Sequence, residues 1–218
     1  MKRTLLIPFL LIALLTGSCS ITQEYHFNKD LSGTYRFEIK MSDLINMMQS
    51  MDTTGKAISS LDTLNQSFKK LTNNYKNAGA KNIKIGWKDD KTTIYINFDF
   101  ENLENLNTIL VSSNSESEIN FINGNSKTPA KITNKGKRFL SFDFPEFSND
   151  TILLKNIESM KDYINIETIF SFDRKIKSIT NKNAIISDDK KSYKFSGKLD
   201  NFLTKNFSMD SDVKLKFK

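Results

Sequence analysis

The chain has 218 residues, with 32 basic and 25 acidic side chains, one histidine and one cysteine, for a formal net charge of +7. A single cysteine excludes an internal disulfide, and so few Cys and His residues exclude the usual zinc sites and leave His26 as the only histidine for a nucleophile–base pair. Seventeen phenylalanines supply enough bulk for a packed core, so disorder is expected only in loops.

Lys2 and Arg3 precede an apolar run from Leu5 to Leu15, broken by Pro8 and Ala13 and too short for a permanent membrane span. Residues 1–18 therefore read as an export signal. Thr16, Gly17, Ser18 and Cys19 resemble the lipobox of bacterial lipoproteins, with Thr16 where that family usually carries leucine. The resemblance implies cleavage before Cys19, a diacylglycerol on its sulfur and an acyl chain on its freed amine. Two or three chains hold firmly where one binds only marginally, at about 0.8 kcal/mol per buried methylene. The expected location is the bacterial cell envelope, facing the extracytoplasmic side. Lys2 and Arg3 leave with the signal, so 30 basic residues face 25 acidic ones in the mature chain.

Tyr25 and Phe27, a polar turn over residues 28–33, and Tyr35, Phe37, Ile39 and Met41 alternate as a β-hairpin with one apolar face. Residues 19–24 are then anchor and short tether, with residues 20–24 spanning at most about 17 Å when extended. Residues 25–218 form one α+β domain, because no Pro-rich or Gly/Ser-rich linker divides them.

From the N-cap candidate Ser42, Leu44, Met48 and Met51 recur at helical spacing, and Ile58, Leu61, Leu64, Phe68, Leu71 and Tyr75 continue it to Gly79. Ile83, Ile85 and Trp87 form a strand, Asp89 and Asp90 a turn, and Ile94, Ile96, Phe98 and Phe100 the antiparallel mate. Leu103, Leu106 and Leu110 line a following helix. A meander is expected from Ile119 and Phe121 through Lys131–Thr133 to Leu140, Phe142 and Phe144, closed by Pro145, and a short helix over 151–163. Strict alternation returns in Ile164–Phe172, in Tyr193 and Phe195, and in Val213, Leu215 and Phe217. These elements predict a mostly antiparallel sheet whose apolar face is covered by a long amphipathic helix or helix pair. A short echo joins Asp89-Asp90-Lys91 to Asp188-Asp189-Lys190: each leads into an alternating strand and then a leucine-bearing helical pattern.

No glycine-rich phosphate loop or calcium loop is present, no cofactor is implied, and a non-enzymatic role is expected. The basic residues Arg174, Lys175, Lys177, Lys190, Lys191 and Lys194, with Lys198, form the one charge concentration suited to an anionic surface. The helix over 42–78 and the sheet either meet as a filled core, the commoner outcome for regular Phe and Met stripes, or leave a cavity for an acyl chain between them. The order of Gly33-Thr34-Tyr35-Arg36-Phe37-Glu38-Ile39, Asp89-Asp90-Lys91 and Phe172-Asp173-Arg174-Lys175-Ile176-Lys177-Ser178-Ile179 resembles LppM-type lipoprotein domains. That resemblance implies a membrane-tethered α+β module that binds lipid or glycolipid, and it assigns no residue a role. The alternative is a structural or assembly factor that recognises another envelope protein through a sheet edge or the polar face of the sheet.

Overall fold

A computed structural model describes residues 19–42, 56–88, 91–112, 130–136, 138–144, 162–203 and 207–216, without the side chains of 56–64 and 203. The signal segment, the helix start over 43–55, Asp89 and Asp90, the strand with Ile119 and Phe121, Pro145, Phe217 and all but the last two residues of the helix expected over 151–163 lie outside the described residues; Asp162 and Tyr163 form a turn.

Alternation builds the first hairpin as expected. Strand β1 (Cys19–Phe27) pairs antiparallel with β2 (Gly33–Lys40), Tyr25 opposite Tyr35. Gly33 is required at the turn: a Cβ there would lie 1.8 Å from the His26 carbonyl oxygen. After helix α1 (Lys56–Asn77), β3 (Lys81–Lys88) and β4 (Thr93–Phe100) form the second hairpin, followed by α2 (Leu103–Ser112). Two short strands, β5 (Lys131–Asn134) and β6 (Phe139–Asp143), surround the Lys135–Gly136 turn. The chain then runs through β7 (Ile164–Phe172), β8 (Ile176–Ile179), β9 (Ile185–Ile186), β10 (Ser192–Lys198), α3 (Leu199–Leu203) and β11 (Ser211–Leu215).

Among the described residues these strands make two sheets, of order β3-β4-β2-β1-β7-β10-β9 and β5-β6-β11-β8. The chain is thus mixed α+β with mainly antiparallel pairing. One pair departs from that rule: β1 and β7 run parallel, Cys19 beside Ile164 and Phe27 beside Phe172. Both are interior strands, buried residue by alternate residue on one face only.

Among the described residues, a second sheet and not only a helix packs on the apolar face. Phe142, at the centre of the four-stranded sheet, sets its ring against Phe27, Phe170, Phe172 and Tyr193 of the large sheet at 4.9–6.5 Å between centroids. The second sheet therefore closes the end of the large sheet where Phe27 and Phe172 lie, because flat aromatic rows on two faces interdigitate over more area than one helical stripe offers. Helix α1 packs to one side, Phe68 against Trp87 and Tyr75 against Phe98.

The Asp-Asp-Lys echo has a counterpart in the backbone. Lys91 and Lys190 both adopt left-handed φ, at 67° and 58°. The hairpins they serve, β3–β4 and β9–β10, are the two outer edges of the large sheet, and each leads into a helix.

Candidate functional site

Cys19 opens β1, so residues 20–24 are strand and not a tether. Backbone pairing to both β2 and β7 is the reason: the segment gains two ladders by extending to the cysteine. By its place in the alternation Cys19 belongs to the inward row with Ile21, Gln23, Tyr25 and Phe27, and it packs partly buried against the core. Exposed Tyr163 precedes its register partner Ile164, and exposed Lys40 and Lys198 end neighbouring strands at the same margin.

The basic residues divide. Arg174 and Lys175 lie between β7 and β8, and Lys190 and Lys191 lie in the β9–β10 turn. The two segments are joined by the Ile176 amide donating to the Lys190 carbonyl at 2.6 Å and the Phe172 amide to that of Lys191 at 2.8 Å. Asp189 sits among them; bonds from the Ser187 hydroxyl and the Lys191 amide, then the charges of Lys191 and Lys175, hold its carboxyl below the ordinary range. Lys194 points away on the open face, paired with Glu167 at 2.6 Å, and Lys177 belongs to the other sheet. All four gathered cations are at the Phe27 end. Eight residue steps of β1 put them about 26 Å from Cys19 at ~3.3 Å per residue.

His26 meets Ser171, its register partner, with Nδ1 3.0 Å from Oγ, and Nε2 lies 3.7 Å from an Asp173 oxygen. The row has the residue types of a nucleophile, a base and an acid. Ser171, however, lies in a strand paired on both sides, where backbone donors serve the ladders and not an oxyanion. It is a cross-strand polar row on the half-exposed face.

A groove of about 980 Å³ runs between α2 and β5, lined by Leu103, Val111, Ala130 and Ile132, with Glu104 and Lys131 at its margin. Asn107 fixes its walls: its amide donates to the Ile132 carbonyl at 2.8 Å and accepts from the Ile132 amide at 2.9 Å. The side chain thereby pairs the edge of β5 as a neighbouring strand would. Between the 42–78 helix and the sheet, where the sequence allows a filled core or a cavity, the described residues Phe68, Leu71 and Tyr75 are buried in contact with the sheet.

One buried cluster interrupts the apolar rows. Gln23 and Thr168 are register partners on the inward rows, buried to 8% and 1% exposure. Gln23 Nε2 donates to Tyr25 OH at 2.7 Å and to Tyr35 OH at 3.1 Å, while neither its Oε1 nor Thr168 Oγ1 meets a partner among the described residues. Burial pushes both phenols well above their ordinary pKa, so they remain protonated donors. The signal was present in the alternation: Gln23 and Thr168 occupy the apolar phase of otherwise apolar strands.

Neither the family models nor the curated proteins include a match to this sequence. Among solved structures, the chain is similar to the NMR structure of the folded domain of the Mycobacterium tuberculosis LppM protein. Identity is 8% and the TM-score 0.46, over 93% of this chain and 91% of that one.

Proposed function

We propose that the protein is an envelope lipoprotein, acylated on Cys19, whose domain is a non-enzymatic binding module. The observation that carries this reading is the position of Cys19 at the first residue of β1, an interior strand of the large sheet, next to a rim of Tyr163, Lys40 and Lys198. Tyrosine and lysine suit a membrane interface, one ring or stem in the apolar layer and the polar tip in water. The anchor therefore seats that margin of the sheet on the bilayer. It also turns Arg174, Lys175, Lys190 and Lys191 outward, about 26 Å from the anchor by strand rise, where they meet an anionic lipid or glycolipid surface other than the anchoring leaflet.

Labelled fatty acid supplied to cells is expected in the wild-type protein and absent from Cys19→Ala, which leaves the membrane fraction. An unlabelled wild type, or a variant that still needs detergent for extraction, refutes the anchor. A second reading, assembly with an envelope protein, is favoured by one feature: exposed Ile185 and Ile186 form the edge strand β9. Photocrosslinking from position 185 to a stoichiometric protein supports it.

A further inference from the structure

We propose that Gln23 and Thr168, with the hydroxyls of Tyr25 and Tyr35, form the polar end of a buried site for an uncharged amphiphile, a hydroxyl- or carbonyl-bearing head on an apolar chain. The inference rests on the binding-module reading above but not on acylation of Cys19.

Unsatisfied polar atoms argue first. A buried polar atom without a partner costs about 1–3 kcal/mol. Two such atoms stand here on adjacent strands, Gln23 beside Thr168. Turning the Gln23 amide over exchanges which terminal atom meets the phenols and leaves the other bare. Elsewhere in the same core Tyr193 OH lies 3.2 Å from Ser211 Oγ. The cluster offers hydroxyl donors and one amide atom, which together complement an ester carbonyl and a glycerol-type hydroxyl.

Charge decides the class of ligand. The inward residues of β1, β2, β4, β7 and β10 carry no ionisable group apart from Cys19 and the tyrosines. An anionic head would lose its hydration with no cation to meet it, so a phosphate or carboxylate is rejected at this depth.

Access follows the strands. Along β1 the inward row passes from half-buried Cys19 and Ile21, through Gln23 at 8%, to Tyr25 and Phe27 at 0%. Along β7, Ile164 and Ile166 retain slight exposure and Phe170 has none. The polar cluster therefore lies where the inner face closes, with apolar Ile21 and Ile166 between it and the Cys19 margin. An apolar chain laid along Ile21, Ile164 and Ile166 would bring its head to Gln23 and Thr168.

The test uses the purified full chain and three probes of one chain length: 1-monooleoylglycerol, oleate at pH 8 and 1-oleoyl lysophosphatidate. Binding is followed by native mass spectrometry and thermal shift. Monooleoylglycerol is expected to bind one to one and the two anions at least about tenfold more weakly, the size of one unmatched buried polar contact. Thr168→Val keeps the shape, so the unliganded protein should melt at the same temperature or higher, while monooleoylglycerol affinity falls about tenfold. Gln23→Leu should lose binding further. Equal binding of the anions, wild-type affinity in Thr168→Val, or a lowered melting temperature with unchanged binding overturns the site; the last result assigns the hydroxyl to an internal water. If none of the three lipids binds, the module reading fails as well; if lipids bind without regard to Gln23 and Thr168, only the site fails.

Discussion

The two ends of the large sheet are built on different principles. At the Phe27 end, Phe27, Phe142, Phe170, Phe172 and Tyr193 form a continuous aromatic contact between two sheets, each ring fully or almost fully buried. At the Cys19 end the same strands carry partly buried Cys19 and Ile21, then Gln23 and Thr168, whose Oε1 and Oγ1 meet no partner among the described residues, on the same inward phase. One strand thus passes from a fully buried aromatic row to a partly buried margin within nine residues. Stability is concentrated where surfaces interlock.

Three perturbations test that division. The largest effect is expected from Phe142→Ala, which removes the ring touching four others and should destabilise the fold by about 3–5 kcal/mol in urea unfolding. A loss below about 1 kcal/mol would mean that the sheet-on-sheet contact does not hold the domain. Next, Gly33→Ala forces a Cβ against the His26 carbonyl, a backbone atom that cannot yield without loosening the β1–β2 pairing. About 1–3 kcal/mol is expected by the same measurement, with hydrogen exchange rising first at residues 26–35.

The smallest effect concerns pH. Asp212 on β11 has its carboxyl held below the ordinary range, chiefly by the Ser141 hydroxyl and then by Lys135, with Lys135 Nζ at 3.2 Å. A depressed folded-state pKa stabilises above the unfolded carboxylate value, and that stability disappears as pH falls through the lower folded value. Because the pair is solvent-exposed, Asp212→Asn should cost no more than about 0.5 kcal/mol at pH 7 and nothing once both states are protonated. A loss that persists at that acidity would show the carboxylate charge to be irrelevant.

Much of the architecture was legible in the strand pattern. Tyr35, Phe37 and Ile39 alternate because one face of β2 is buried, and the same logic located β3, β4, β7 and β10. It could not locate β8 and β9: Ile176–Ile179 and Ile185–Ile186 are too short to show a period, and their neighbours in the sheets define them. Of the candidate cations, Arg174, Lys175, Lys190 and Lys191 do converge, while Lys177 and Lys194 are separated by strand membership that no local pattern encodes.

Local chemistry by itself determined the absence of an internal disulfide and most strands, because a cysteine count and a two-residue alternation are both read directly from the chain. Tertiary structure alone decided the parallel pairing of β1 with β7, more than 130 residues apart in sequence. That single pairing places Gln23 beside Thr168, extends β1 to Cys19, and sets the cationic loops at the opposite end. None of these follows from periodicity, which reports which face a residue occupies but not which strand lies next to it.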